Sequence, residues 1–533
     1  MALANFFDRA ATAASQVLAG FGVAAFSHRL QAQVVGIAFD GAAARSLEGA
    51  ALLDLTVRLL ARLYPTLAIH AADDQARERA AELFGVARAI NPAIDLQEDA
   101  GRATITVCVG QTVPEIAGTK MFAGSDGWIA RFSSTGPVGC GTSANPFGAG
   151  AAACIAVANV FRAVFADQIP AGGLDGDIAL DLRSYRSTAM SAKGGEVGPV
   201  DLGETHLVGL GAIGNGAVWA LARLQALCGT LHLVDHETVD LSNLQRYAMM
   251  VQSNVDTAKV EVAATLLAGT SLRVVPHRAT WGAYLAARDD WRLERVAVAL
   301  DTARDRVAVQ GALPQWIVNA WTQEGDLGVS RHGFADGRAC LACLYLPTGE
   351  VMDEDDRIAD ELGLPEAQPD VRRMLQTSEP VPIAFIERIA TALGVPIDAL
   401  RPFAGQPLRS FYQNTMCGGV VFRLTNGTRP VGTTVPMAFQ SALAGILLVA
   451  DLVKHARGEL NNATTATRID LLRPLGTYLN DPRARDATGR CICGDRDFQQ
   501  AYRTKYRGRT IHDAETRPAS ITKRSYPPKS LER

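Results

Sequence analysis

The most constraining stretch of this chain is HLVGLGAIGNGAVWALARL, residues 206–224. Gly209, Gly211 and Gly214 form G-x-G-x-x-G between an apolar run that reads as a strand and one that reads as a helix. Glycines so placed permit a tight strand-to-helix turn, let a phosphate approach the backbone and set it at a helix N-terminus, where anions are favoured. Such a unit belongs to a parallel sheet wound with helices. The next strand ends at Asp235, 21 residues after Gly214. An acidic side chain at that distance can bond ribose hydroxyls. On these features alone a nicotinamide enzyme and an ATP-using enzyme read alike.

The 533 residues exceed one ordinary core and predict two or three domains. A net charge of -3 and a pI near 6.3 lack the basic excess of a nucleic-acid partner. The N-terminal residues read as an amphipathic helix over 1–30, not as a signal segment. Two very apolar stretches, 149–165 and 436–453, are interrupted by Asn159 and Arg162 and by Gln440, Ser441 and Asp451. They read as buried helices, with no membrane partner and a cytoplasmic location.

Strand patterns at 34–39, 67–71, 103–109 and 128–133 alternate with helical ones, making residues 1–197 an α/β domain. No phosphate-binding glycine signature follows its first strand. After the Gly/Pro-rich linker IPAGGLDG, a second α/β region begins near 198, with strands at 205–210, 230–234, 272–275, 296–300 and 316–318. The expected fold class is therefore α/β, with a doubly wound, mostly parallel, Rossmann-like sheet preceded by a degenerate α/β domain. Residues 346–417 are rich in charge and helix formers and read as a helical insertion, after which the second domain resumes over 418–495. Residues 420–424 read as a strand and 438–455 as a helix. Residues 496–533 are basic and read as a loose tail.

The run VDHETVDLSNLQRY, residues 234–247, closely resembles the motif of the ThiF/MoeB and ubiquitin-activating superfamily, an Asp at a strand end followed by Asn-Leu-x-Arg. DTAKVEVAATLL resembles that family's lysine-bearing helix, and ALDTARDR its magnesium-binding segment. The resemblance implies ATP and Mg²⁺, with Asp235, Asn243, Arg246 and Lys259 on the nucleotide and Asp301 on the metal. Tyr247 departs from the usual glutamine, and Arg304-Asp305 from the frequent Asp-Asn, which leaves that pair unassigned. Carboxyl adenylation asks for these residue types, because the protein mainly positions a carboxylate and neutralises a leaving pyrophosphate.

Cys340 and Cys343 form C-x-x-C, and Cys491 and Cys493 form C-x-C. Two such pairs can close a tetrahedral zinc site, or stay as reduced thiols. The resemblance implies structural Zn²⁺, although its second pair is usually C-x-x-C. Cys417, in NTMCGGVVFRL, is the best match for the nucleophile that takes the acyl group from the adenylate as a thioester; a buried structural cysteine is the other reading. Cys108, Cys140, Cys154 and Cys228 read as structural.

The resemblance implies an enzyme that activates the C-terminus of a ubiquitin-like protein and passes it to a conjugating enzyme. The chain is similar to activating enzymes of bacterial antiphage (Bil-type) conjugation systems; whether it forms a homodimer is open. The first half reads as an inactive adenylation-like copy, with Arg183 and Arg186 as arginines that would enter the ATP site or lie exposed in a linker. It has no Cys in the setting of a ubiquitin-conjugating fold. The main alternative is a sulfur-carrier adenylyltransferase, with a ribosomal-peptide modifier and a nonenzymatic scaffold behind it. The Asn243–Arg246 cluster argues against a dehydrogenase.

Overall fold

In the computed structural model the chain folds into an α/β architecture on two eight-stranded sheets. The structure describes residues 3–111, 115, 118–290, 292–323, 325–346, 354–417, 420–425, 435–460, 465–475 and 479–506. The first sheet comprises β1 (Val35–Phe39), β2 (Thr66–Ala71), β3 (Asp95–Gln97), β4 (Ile105–Val109), β5 (Thr119–Asp126), β6 (Ile129–Ser133), β7 (Ile178–Asp181) and β8 (Arg186–Ser187). The second comprises β9 (Val200–Val208), β10 (Leu227–Val234), β11 (Arg273–His277), β12 (Arg295–Val298), β13 (Trp316–Thr322), β14 (Leu327–Gly333), β15 (Ala466–Ile469) and β16 (Leu479–Asp481).

The orders are β3-β2-β1-β4-β5-β6-β7-β8 and β11-β10-β9-β12-β13-β14-β15-β16. Strand for strand they are the same, so the halves are two copies of one topology. Both are parallel through β5 and β13 and antiparallel beyond. In each, strand order reverses beside the first strand, and the crevice at such a switch point is where α/β sheets bind ligands.

One apolar core runs through both halves. Helices Pro146–Val164 and Ala438–Ala456 pack against each other within it, with Phe161 and Phe439 rings 5.9 Å apart. Both are long and apolar enough to cross a membrane by composition, and both are buried in the protein. Most of their polar interruptions are paired, Ser441 excepted: Asn159 and Arg162 both bond Asp175. Asp451, fully buried, accepts from Tyr185 at 2.6 Å and Arg331 at 2.6 Å and pairs with Lys454 at 2.7 Å. Removing one partner from such a set typically costs about 3–5 kcal/mol.

Several elements differ from expectation. The N-terminal helix is two, Phe7–Ser15 and Val23–Gln31, separated at Gly20, whose φ is +62°. Strands β3, β5, β7, β8 and β14–β16 escape the sequence pattern because they are short, or rich in glycine and polar residues. Residues Val420–Leu424 are helical, not a strand. Val421 is buried in the separate core of the insertion, with Ile358, Val371, Ile386 and Phe411; that packing overrides β-propensity and carries the insertion past 417. Helix Arg496–Lys505 replaces the first part of the expected tail. Its Tyr502 and the following Tyr506 donate to the carbonyls of Gln315 and Leu313, and Lys505 donates to Ala312. Residues 507–533 lie outside the described residues.

Candidate functional site

The crevice of the second half opens where β9, β10 and β12 end side by side, at Gly209, Asp235 and Asp301. Gly209 has φ +92°, and a Cβ there would lie 2.6 Å from the Ala299 carbonyl oxygen. A Cβ on Gly214 would lie 2.3 Å from the Gly209 carbonyl oxygen. Both positions therefore require glycine. Around Gly211 the space opens, with the Tyr247 hydroxyl, 3.5 Å from its would-be Cβ, as the nearest atom. Gly211 is the N-cap of helix Ala212–Leu221 and supplies no side-chain cap, so the first amides of this helix offer an anion cradle.

Polar groups converge on that turn. Asp235 accepts from the Leu210 amide at 2.7 Å and from the Glu237 amide at 2.9 Å, which locks the glycine turn to the end of β10. Asn243 spends its carboxamide oxygen on the Asp240 amide at 3.0 Å, closing the capping box that presents Arg246. Arg246 Nη1 is buried and has no hydrogen-bond partner. A buried unpaired donor costs about 1–3 kcal/mol, a cost that an incoming anion would remove.

Lys259, the first residue of helix Lys259–Leu267, is buried and donates to the Tyr247 hydroxyl at 2.9 Å and to Glu237. Burial alone would push its ammonium down; Tyr247, Asp235 and Glu237 outweigh that and hold it above the ordinary lysine range. Glu237, which burial would push up, is pulled down chiefly by Lys259. Glu237 was not singled out from the sequence, although it lies inside the motif run.

Asp301 is exposed on the turn after β12, a setting that leaves its carboxylate open to a hard cation. The unassigned neighbours have local duties. Asp305 accepts from the Thr302 hydroxyl at 2.6 Å in the cap of helix Ala303–Gly311, and the charge of Arg304 acts on Glu354 of the insertion.

The first half repeats the layout without the cradle. Asp73, after β2, accepts from the Gly41 amide at 2.8 Å, as Asp235 does from Leu210. Where the second half leaves amides open, Asp40 takes the amides of Ala43 at 2.9 Å and Gln111 at 2.8 Å. A side-chain carboxylate thus stands in for a phosphate.

The four sulfurs come together. Cys340–Cys491 are 3.5 Å apart, Cys343–Cys491 3.4 Å, Cys343–Cys493 3.4 Å and Cys340–Cys343 3.8 Å. Tetrahedral zinc with Zn–S bonds of about 2.3 Å sets sulfurs about 3.8 Å apart, so the donors fit a metal of that kind, and a short 3-10 turn at Ile492–Gly494 accommodates the tighter C-x-C. Hydrogen bonding from Cys340 holds the Cys343 thiol below its ordinary range against the opposing effect of burial. Cys417 ends a π-helical turn, Gln413–Cys417, between helices of the insertion; its side chain lies outside the described residues. Cys108 and Cys154 are buried, Cys140 is partly so, and Cys228 is exposed.

Neither of the two candidate arginines of the first half, Arg183 and Arg186, reaches the residues of the glycine turn in the described contacts. Arg183 lies over Trp128 of its own half, 5.7 Å from the ring centroid, and Arg186 is exposed on β8. A further cluster, Glu204, His206 and His232, packs under Trp281 and Tyr284. Arg288 already bonds Glu204 at 2.7 Å and Tyr284 at 2.6 Å, and Tyr284 lies 2.8 Å from His206 Nε2.

A glycine cradle at a switch point, with a buried lysine and a half-buried arginine beside it and an open carboxylate opposite, defines a nucleotide-binding α/β protein. The chain belongs to the ThiF family, whose model matches residues 201–484. A second model, Prokaryotic E2 family C, matches residues 38–166. That match falls on the half in which the sequence pattern spoke against a conjugating-type domain. Over 507 residues, 95% of this chain and 98% of the other, it is 56% identical to the Sinorhizobium fredii protein y4jF, itself uncharacterized. It is 34% identical over 156 residues to the Escherichia coli molybdopterin-synthase adenylyltransferase, covering 27% of this chain and 59% of that enzyme. Among solved structures it is similar to E. coli MccB with MccA-N7isoASN, at 14% identity and a TM-score of 0.35, covering 55% of this chain and 67% of that one.

Proposed function

We propose that this chain is an ATP-dependent adenylating enzyme that activates the C-terminal carboxylate of a ubiquitin-like protein. The observation that carries the reading is the orphaned, buried Nη1 of Arg246 beside the uncapped helix N-terminus at Gly211. The site holds cationic donors with no anion of its own, which suits a nucleoside triphosphate. The 34% identity to a molybdopterin-synthase adenylyltransferase supports the same chemistry.

In this reading Asp235 holds the ribose and the amides after Gly211 hold phosphate oxygens. The substrate carboxylate attacks the α-phosphorus, the bond to the bridging oxygen breaks, and pyrophosphate leaves. Arg246 and Lys259 neutralise the charge that develops on the leaving group. Asp301 would hold Mg²⁺, which supplies further charge neutralisation on the phosphates. The Cys417 thiolate then attacks the acyl carbon of the adenylate, AMP leaves, and a thioester remains for a conjugating partner. Cys340, Cys343, Cys491 and Cys493 would hold a structural zinc that ties helix Arg496–Lys505 to the domain. We place the protein in the cytoplasm, where such thiols stay reduced, and assign it to bacterial antiphage conjugation. The Prokaryotic E2 match in the first half supports a conjugation setting over a purely sulfur-transfer one.

The test is intact mass analysis under non-reducing conditions, with a ubiquitin-fold protein ending in Gly-Gly and Mg-ATP. The reading expects a thiol-sensitive adduct on the wild type that Cys417→Ala lacks. AMP and pyrophosphate without an adduct would replace the thioester relay by direct hand-over, as in a sulfur-carrier adenylyltransferase.

A further inference from the structure

Arg62 follows helix Leu47–Leu60 of the first half, yet every hydrogen bond found for it ends in the second. Its Nη2 donates to the carbonyls of Tyr247 at 2.5 Å, Ala248 at 2.9 Å and Met250 at 2.7 Å. The side chain is 2% exposed. No carboxylate lies within ion-pair distance of it in the described structure, and burial, aided by Arg58 and only partly offset by the more distant Asp54, pushes its guanidinium down to about 9. Nε and Nη1 have no partner, and neither does the side-chain oxygen of nearby Gln245. Arg62 and Gln245 line a cavity of about 10 Å³ together with Leu59, Val157 and Phe439, close to the smallest space that holds one water.

A desolvated cation that caps three carbonyls of one short loop is an expensive arrangement. Apolar side chains would fill the same seam between the halves at lower cost, so its specificity requires an explanation. The carbonyls belong to the residues just after Arg246. Tyr247 is also the hydroxyl partner of Lys259. Fixing residues 247–250 therefore fixes both cationic side chains aimed at the nucleotide.

We propose that Arg62 is a positioning residue for nucleotide binding. From the half whose own cradle is closed by Asp40, it clamps the loop that carries Arg246 and Tyr247 in the other half. The second copy of the fold thus has a task at the site without touching the nucleotide. The inference rests on the adenylation reading for its functional consequence, but the clamp itself can be measured without it.

The experiment compares full-length wild type, Arg62→Met, Arg62→Lys and Leu59→Ala, the last a packing control on the same cavity. Hydrogen exchange of residues 247–250 reads the clamp, and titration with Mg-ATP reads the site. Arg62→Met is expected to lose exchange protection at 247–250 and to weaken ATP binding roughly tenfold or more, since small misplacements of charged groups are costly. Arg62→Lys should recover part of both, whereas Leu59→Ala lowers thermal stability with ATP affinity kept. In the double variant with Arg246→Ala, Arg62→Met should add less than it costs alone, because one of the two side chains it positions is already gone. Unchanged protection in Arg62→Met, or fully additive losses, overturns the proposal. Lost protection in a protein whose wild type does not bind ATP would leave the clamp standing and remove the adenylation reading instead.

Discussion

Lys259 Nζ lies 2.9 Å from the hydroxyl of Tyr247, the residue that departs from the glutamine usual in the resembling motif. The buried ammonium donates to this hydroxyl and to Glu237. Tyr247→Phe should weaken adenylation by about 0.5–1.5 kcal/mol, the net value of one such bond, and Tyr247→Gln should retain most activity. Lys259→Met should cost on the order of a hundredfold in turnover. Steady-state pyrophosphate release checks all three.

The two halves predict a single nucleotide per chain. In the first half Asp40 caps the helix that follows β1 through its Ala43 amide and also takes the Gln111 amide after β4, whereas Gly211 supplies no side-chain cap in the second. Calorimetric titration with Mg-ATP should give one site per chain, abolished by Gly211→Asp. Two sites of equal affinity would contradict the closed first cradle.

Removal of metal should unfasten a corner of the molecule. The sulfurs of Cys340, Cys343, Cys491 and Cys493 stand 3.4–3.8 Å apart in the measured pairs, and helix Arg496–Lys505 follows directly on Cys493. Elemental analysis should find one zinc per chain. Chelation, or Cys343→Ser, should lower the melting temperature and expose this helix to hydrogen exchange. A metal-free preparation of unchanged stability would contradict the assignment.

Acid should destabilise the protein in part through His332. Burial lowers its pKa to about 4, with Nδ1 donating to the Ala339 carbonyl at 2.8 Å and Nε2 meeting the Ser330 hydroxyl at 2.8 Å. The unfolded residue titrates near 6.5. Between those values the unfolded chain binds the proton and the folded one does not, so stability falls as pH drops from about 6.5 to about 4. The ceiling for this one group is about 3 kcal/mol. His332→Gln should flatten the slope of urea-midpoint against pH over that window.

The sequence pattern reached the parts of the molecule that depend on local chemistry. Gly209 and Gly214 announce the turn because only glycine fits there, Gly211 keeps its motif spacing, and Asp235 and Lys259 lie at legible strand and helix ends. The duplication was legible only faintly, as a first half that reads as an inactive copy, because the two halves share strand order and almost no motif: Asp40 and Asp73 serve the backbone as capping residues, which leaves no periodic signature. The aromatic spacing of Phe498, Tyr502 and Tyr506, one per helical turn, was there to be read, but the surrounding charge masked it. Residues 420–424 read as a strand since Val, Val and Phe favour one, and only the insertion's own core decides otherwise. Arg62 could not be found from the sequence at all, because its partners lie 185–188 positions away.

The most direct test of the account is exchange of labelled pyrophosphate into ATP by the full-length chain, with Mg²⁺ and a ubiquitin-fold protein ending in Gly-Gly. Adenylation at the Gly209–Gly214 cradle predicts exchange that requires the partner's C-terminus and that Asp301→Asn reduces by on the order of a hundredfold. It also predicts that Cys417→Ala leaves exchange intact, since the thiol acts after the adenylate forms. Exchange that survives both Asp301→Asn and Arg246→Ala, or none with the wild type, would contradict it.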